Sequence, residues 1–198
     1  MRRILNLMVV VLLVLSMMGC ANYYVDSSVK EIPAADYKKP VTPMPVQLTF
    51  EFQSKGVANA AVTKMLMAQV TEEVKGSGLF SEVKDTPVPN GAQLYLVLNN
   101  VPLADSASKT RAFVTGMTFG LAGSQAGDGY ICTLKYIPNS GTTPITETAR
   151  HAIYTTLGAK GAPANGIRMD NMDMAARTMT KQVVSHVLNA LSHDKGFQ

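Results

Sequence analysis

Little in this chain is equipped for catalysis. Histidine is confined to His151, His186 and His193, and cysteine to Cys20 and Cys132. There is no His-Glu-x-x-His, no cysteine–histidine cluster and no pair of ligands at metal spacing, so no metal centre is expected. Neither a Gly-Lys-Ser/Thr phosphate loop nor a Gly-x-Gly-x-x-Gly turn occurs. Ser124 stands in Gly-Ser-x-x-Gly, not in the Gly-x-Ser-x-Gly of a nucleophile elbow. Ser124, Asp128 and His151 supply the side chains of a hydrolytic triad, but a chain of this length offers such triples by chance. Charge is also scarce, at 16% of residues, with no long basic run or aromatic-interleaved stripe. Nucleic acid is therefore not an expected partner. Glu72 and Glu73 read as a solvated helix face, and Asp170 and Asp173 as helix-capping residues. The expectation is a protein that is not an enzyme and needs no cofactor.

Long apolar runs are missing too, except at the start. Arg2 and Arg3 precede Ile4–Leu15, which is broken only by Asn6, and Ser16-Met17-Met18-Gly19 leads into Cys20. An export signal has this order of charge, short apolar stretch and small residue, and the stretch is too short to span a bilayer as a lasting anchor. Gly19-Cys20 resembles the lipobox of exported bacterial lipoproteins, with Met17 in place of the usual leucine. The resemblance implies cleavage before Cys20, a diacylglyceryl thioether on its sulfur and an acylated amine. Each buried methylene contributes about 0.8 kcal/mol, so several chains hold a protein on a membrane where one does not. Ala21 stands where an aspartate would retain such a lipoprotein in the inner membrane, which implies the periplasmic face of the outer membrane. The covalent lipid on Cys20 is the one non-protein group expected.

Residues 1–19 thus read as a signal peptide, 20–45 as anchor and tether, and 46–198 as a single domain. Without the signal, 16 basic side chains face 14 acidic ones, so the mature chain is nearly neutral. Thioether formation removes Cys20 from disulfide chemistry and leaves Cys132, within an apolar strand, as a buried and inert thiol. Pro33, Pro40, Pro43 and Pro45 mark the tether. At about 3.1 Å per residue such a segment reaches up to roughly 75 Å. The alternative for the same residues is an ordered arm docked along the domain.

Within the domain, Val46, Leu48, Phe50 and Phe52 alternate with polar residues and predict a half-buried strand. Val62, Leu66, Val70 and Val74, with Ala61 and Met65 beside them, predict a helix over 59–75 that ends at Gly76 and Gly78. Strands follow over 79–83, 93–101, 130–137 and 145–157, with a turn at Pro138-Asn139-Ser140-Gly141 and a loop over 158–166. A last helix spans 171–192, with Ala176, Met179, Val183, Val187 and Leu191 facing the core and Asp170 or Asn171 as its cap. The fold expected is α+β: about five strands in a mainly antiparallel sheet, with two helices on one face. Cys20, the strand–helix–strand over 46–83 and Thr118-Phe119-Gly120-Leu121 resemble YajG-type envelope lipoproteins. That resemblance carries no catalytic residues.

One segment asks for a special explanation. Gly116, Gly120, Gly123 and Gly127 recur at intervals of three and four, interleaved with Phe113, Met117, Phe119 and Leu121. On a helix they would form a ridge permitting close backbone approach, in an oligomer or in a membrane leaflet. A glycine-rich loop or bent strand accounts for the same residues, because each glycine costs a helix about 1 kcal/mol. Two main functions follow: a non-catalytic binding or assembly module anchored in the envelope, or a self-associating structural lipoprotein that uses Gly116–Gly127 and Phe119. The partners expected are the membrane, and either an envelope protein or a second copy of the chain. A wall or lipid hydrolase is the third reading.

Overall fold

The computed structural model describes residues 21–103, 126–139, 141, 143–157 and 161–197. Cys20 and residues 104–125 lie outside the described residues. The first strand, β1 (Ala21–Asp26), falls in the segment read as tether. Next comes β2 (Val46–Ser54), in which the alternation holds: Val46, Leu48, Phe50 and Phe52 are buried and their polar neighbours are not. The chain reverses at Lys55 and Gly56, both with positive φ (55° and 80°), into the short β3 (Val57–Ala58).

Helix α1 (Ala60–Gly76) starts where Asn59 accepts a hydrogen bond from the Val62 amide at 3.2 Å. It buries Leu66, Val70 and Val74, while Met65, expected on that stripe, is exposed. Then come β4 (Val83–Lys84), β5 (Ala92–Leu103), β6 (Ala126–Ile137), β7 (Ile145–Leu157) and β8 (Gly166–Met169). Helix α2 (Met172–His193) closes the fold, capped by Asn171, which accepts from the Met174 amide at 2.8 Å. Its core face holds Met179, Val183, Val187 and Leu191 as expected, with Ala175 instead of Ala176 and with Val184 and Leu188 added.

The eight strands among the described residues form one sheet in the order β3-β2-β5-β6-β7-β1-β8, with β4 beside β2. All pairings are antiparallel except those of β2 with β4 and β5, which α1 makes parallel by carrying the chain back between them. Apolar rows cross the sheet under the helices: Phe50, Leu96 and Leu134 stand side by side, and Phe52, Leu98, Cys132 and Ala149 form the next but one. The opposite face carries rows such as Glu51, Val97, Thr133 and Thr148. This is the single α+β domain expected, with three more strands.

Three expectations need correction. Leu79 and Phe80 are buried but not in a strand, since only Val83–Lys84 pairs with β2. The loop over 158–166 gives way at Gly166 to β8, where a Cβ on Gly166 would meet Tyr24 and Pro163 at 3.0 Å. The supposed tether is an ordered arm. Its β1 is hydrogen-bonded between β7 and β8, so it is an interior strand. The rest of the arm is fastened along α2. The Ile32 amide donates to Ser185 Oγ (2.9 Å), the Tyr37 hydroxyl to the Ser185 carbonyl (3.1 Å) and the Lys38 amide to Ser192 Oγ (3.2 Å). The proline content that implied reach instead suits a chain docked without its own ladder of hydrogen bonds.

Candidate functional site

The arm roofs a cleft between α1 and α2 of about 550 Å³. Ile32, Ala34 and Tyr37 come from the arm, Glu73 and Gly76 from the end of α1, and Leu188 from α2. That volume lies in the range of small-ligand sites. Lys39 forms one wall support: its ammonium donates to the carbonyls of Ala34 and Ser77 and sits 5.0 Å from the centre of the Tyr37 ring. It thereby satisfies an orphan carbonyl at the C-terminus of α1, where the helix dipole favours a cation. Partial burial lowers its pKa.

Glu73 is the unusual group. Its Oε1 accepts from Gln69 Nε2 at 2.7 Å, and the same nitrogen also donates to the Arg177 carbonyl at 2.9 Å, linking the helices. Its Oε2 is buried and accepts nothing. Burial raises the acid to about 7, with Glu31 adding to the rise and the Gln69 bond and Lys181 opposing it. The side chain is therefore harder to ionise than an exposed glutamate. Lys181 is drawn off to Glu31 at 2.9 Å, and Arg177 to Asp173 at 2.9 Å. Tyr37 is pushed up to about 12 by burial and by Glu31 and Glu73. Reading Glu73 as part of a solvated face was wrong, because it took no account of an arm folding over that face; Glu72 is exposed as expected.

Of the residues weighed for hydrolysis, the structure describes His151 and Asp128. Ser124 lies outside the described residues. His151 is fully buried, its Nε2–H donating to Gln182 Oε1 at 2.7 Å and its Nδ1 accepting from the Ala152 amide at 2.8 Å. Burial lowers its pKa, so the neutral ring acts as a strut between β7 and α2. Asp128 lies on β6 opposite Ile153 and makes neither of those bonds. His186 donates to the Lys30 carbonyl at 2.8 Å and so holds the arm. Cys132 is buried, and burial raises its thiol pKa.

Gly116, Gly120, Gly123 and Phe119 lie outside the described residues. Gly127 is in β6, paired with Leu103 on one side and Tyr154 on the other, so it belongs to a strand and not to a helical ridge. Among the described residues no group of three or more His, Cys, Asp or Glu is placed to hold a metal ion, and no helix is long and apolar enough to cross a membrane.

No family model and no curated protein matches the chain. Among solved structures it is similar to a minor lipoprotein from Acinetobacter baumannii, at 13% identity over 77% of this chain and 90% of that one, with a TM-score of 0.38. It is also similar to a PelC dodecamer from Paraburkholderia phytofirmans, at 11% identity over 90% of this chain and 100% of that one, with a TM-score of 0.33. At such distances the cleft has to be understood from its own side chains.

Proposed function

We propose that the chain is a lipid-anchored protein of the bacterial envelope that acts as a non-catalytic binding module, engaging an envelope partner through the cleft between α1 and α2. The observation that carries this reading is the cleft itself: about 550 Å³, roofed by the arm and holding one carboxylate oxygen without a hydrogen-bond partner. A buried acceptor left unpaired costs about 1–3 kcal/mol, which an incoming donor would recover. His151, weighed for hydrolysis, is locked in the core, which favours binding over hydrolysis. The charge, apolar stretch and Gly19-Cys20 of the N-terminal segment support the anchor.

Crosslinking and co-purification from intact envelopes test this, with Cys20→Ala and Gly76→Phe beside the wild type. Gly76 lines the cleft, has no positive φ, and a Cβ there meets nothing within 4 Å, so a side chain can be introduced without a clash at the backbone. A specific partner lost with both variants supports the reading. A partner retained by Gly76→Phe removes the cleft from it, and recovery of homo-oligomers alone favours the structural lipoprotein.

A further inference from the structure

β1 begins at Ala21, the residue after Cys20, and Ala21 stands opposite Leu157, the last residue of β7. Ala21 is already paired with β7, and β8 joins β1 on its other side from Tyr23, so an acyl group on Cys20 would be joined to the sheet by a single residue of chain. One residue spans at most about 3.6 Å, so the anchor has no slack. The neighbouring elements end at the same level. Met169 of β8 pairs with Tyr23, and α2 starts three residues later, at Met172. Among the described residues, the end of the fold nearest Cys20 exposes apolar side chains: Leu157 is 66% exposed, Met174 44% and Met172 36%. Val41 (99%) and Met44 (39%) are exposed near the start of β2, at the opposite end, so exposure alone does not choose between the two ends. The attachment point does.

We propose that this end of the sheet, formed by Ala21, Leu157 and the first turn of α2, rests directly on the lipid surface and fixes the orientation of the domain. The inference relies on the lipid anchor proposed above. Among the described residues the charges there are close to balanced, with Asp170 and Asp173 against Arg168 and Arg177 and a 2.9 Å ion pair between Asp173 and Arg177. The contact is therefore apolar and does not need anionic headgroups. The 13 residues of β7 rise about 3.3 Å each, which puts Ile145 roughly 40 Å from Leu157. Gly76, at the end of α1 near the start of β2, lies toward that far end. The anchored orientation thus places the Gly76 end of the cleft farthest from the bilayer and the Arg177 end nearest it.

The test uses the full chain, processed in cells and reconstituted in phosphatidylcholine vesicles, after intact mass has established whether Cys20 carries acyl chains. Single cysteines replace the exposed Leu157, Met174 or Asn139 (in the far turn) and are labelled with a fluorophore, Cys132 being buried. Lipid-borne nitroxide should quench the labels at 157 and 174 several-fold more than the label at 139, with or without anionic lipid. Equal quenching at all three sites on an acylated protein overturns the orientation and leaves the anchor standing. An unacylated Cys20 overturns both.

Discussion

The Tyr154 hydroxyl donates to Asp26 Oδ2 at 2.7 Å, a buried bond between residues 128 apart in sequence. It closes β1 onto β7 on the side of the sheet away from the main core, where Tyr24, Ala152 and Tyr154 form a small cluster of their own. Asp26 also accepts from the Ser28 amide at 2.8 Å, so one carboxyl fixes both the strand and the start of the arm. Burial and the neighbouring Asp26 raise the pKa of Tyr154 and keep it a donor.

Tyr154→Phe should therefore destabilise the domain by about 1.5–3 kcal/mol, the range for a buried bond to a carboxylate. Urea denaturation measures this. Hydrogen exchange should rise first in β1 and the arm, and a variant with unchanged protection there would show that the bond does not hold the strand.

Glu73 sets a pH dependence. Its folded value of about 7 lies above the ordinary 4.5, so the folded state holds this proton more tightly, and the stability it contributes is lost as pH rises from about 4.5 to 7. The groups facing it are Gln69 on its own helix, Lys181 on α2, and Glu31 and Tyr37 on the arm. Glu73→Gln should remove that slope and raise stability at pH 8 by about 1–3 kcal/mol, at roughly 1.4 kcal/mol per pH unit. Thermal melts from pH 5 to 8 decide it: parallel curves for the two proteins would mean that the acid titrates normally.

Gln182→Ala leaves the His151 Nε2–H, in the core, without its partner and should cost about 1–3 kcal/mol. Because burial holds His151 below its ordinary 6.5, the unfolded chain takes up this proton first, and stability falls as pH drops below 6.5. Calorimetry on Gln182→Ala gives the cost, and a melting temperature equal to wild type would discount the strut.

Cys132 should resist maleimide in the native protein and react once the protein is unfolded in urea, because its thiol is buried and burial raises its pKa. Stoichiometric labelling under native conditions would place it at an accessible surface instead.

The periodic elements were legible because each is specified within its own residues. Alternation at Val46–Phe52 and the four-residue spacing of Val62, Leu66, Val70 and Val74 report which side is buried, whatever covers it. β1 was not legible: Asn22-Tyr23-Tyr24-Val25 is short, precedes a proline-bearing stretch, and is held by partners 128 to 146 residues away, from Ile153 to Met169. The parallel pairing of β2 with β5 was likewise a matter of topology, not of local pattern. Glu73 was misread for the same cause. Its position on α1 is that of a surface carboxylate, and only the docking of residues 31–39 across the helices makes it the half-buried acid of a cleft. A polar residue on a helix says nothing by itself about a distant segment that folds over it.

The anchor is the central claim, because the orientation of the sheet and the accessibility of the cleft both depend on it. Intact and peptide mass spectrometry of the native protein extracted from envelopes tests it most directly. The account predicts a mature N-terminus at Cys20 bearing a diacylglyceryl thioether and an acylated amine, followed by Ala21 at the start of β1. A mature chain beginning elsewhere, or an unmodified Cys20, would contradict it.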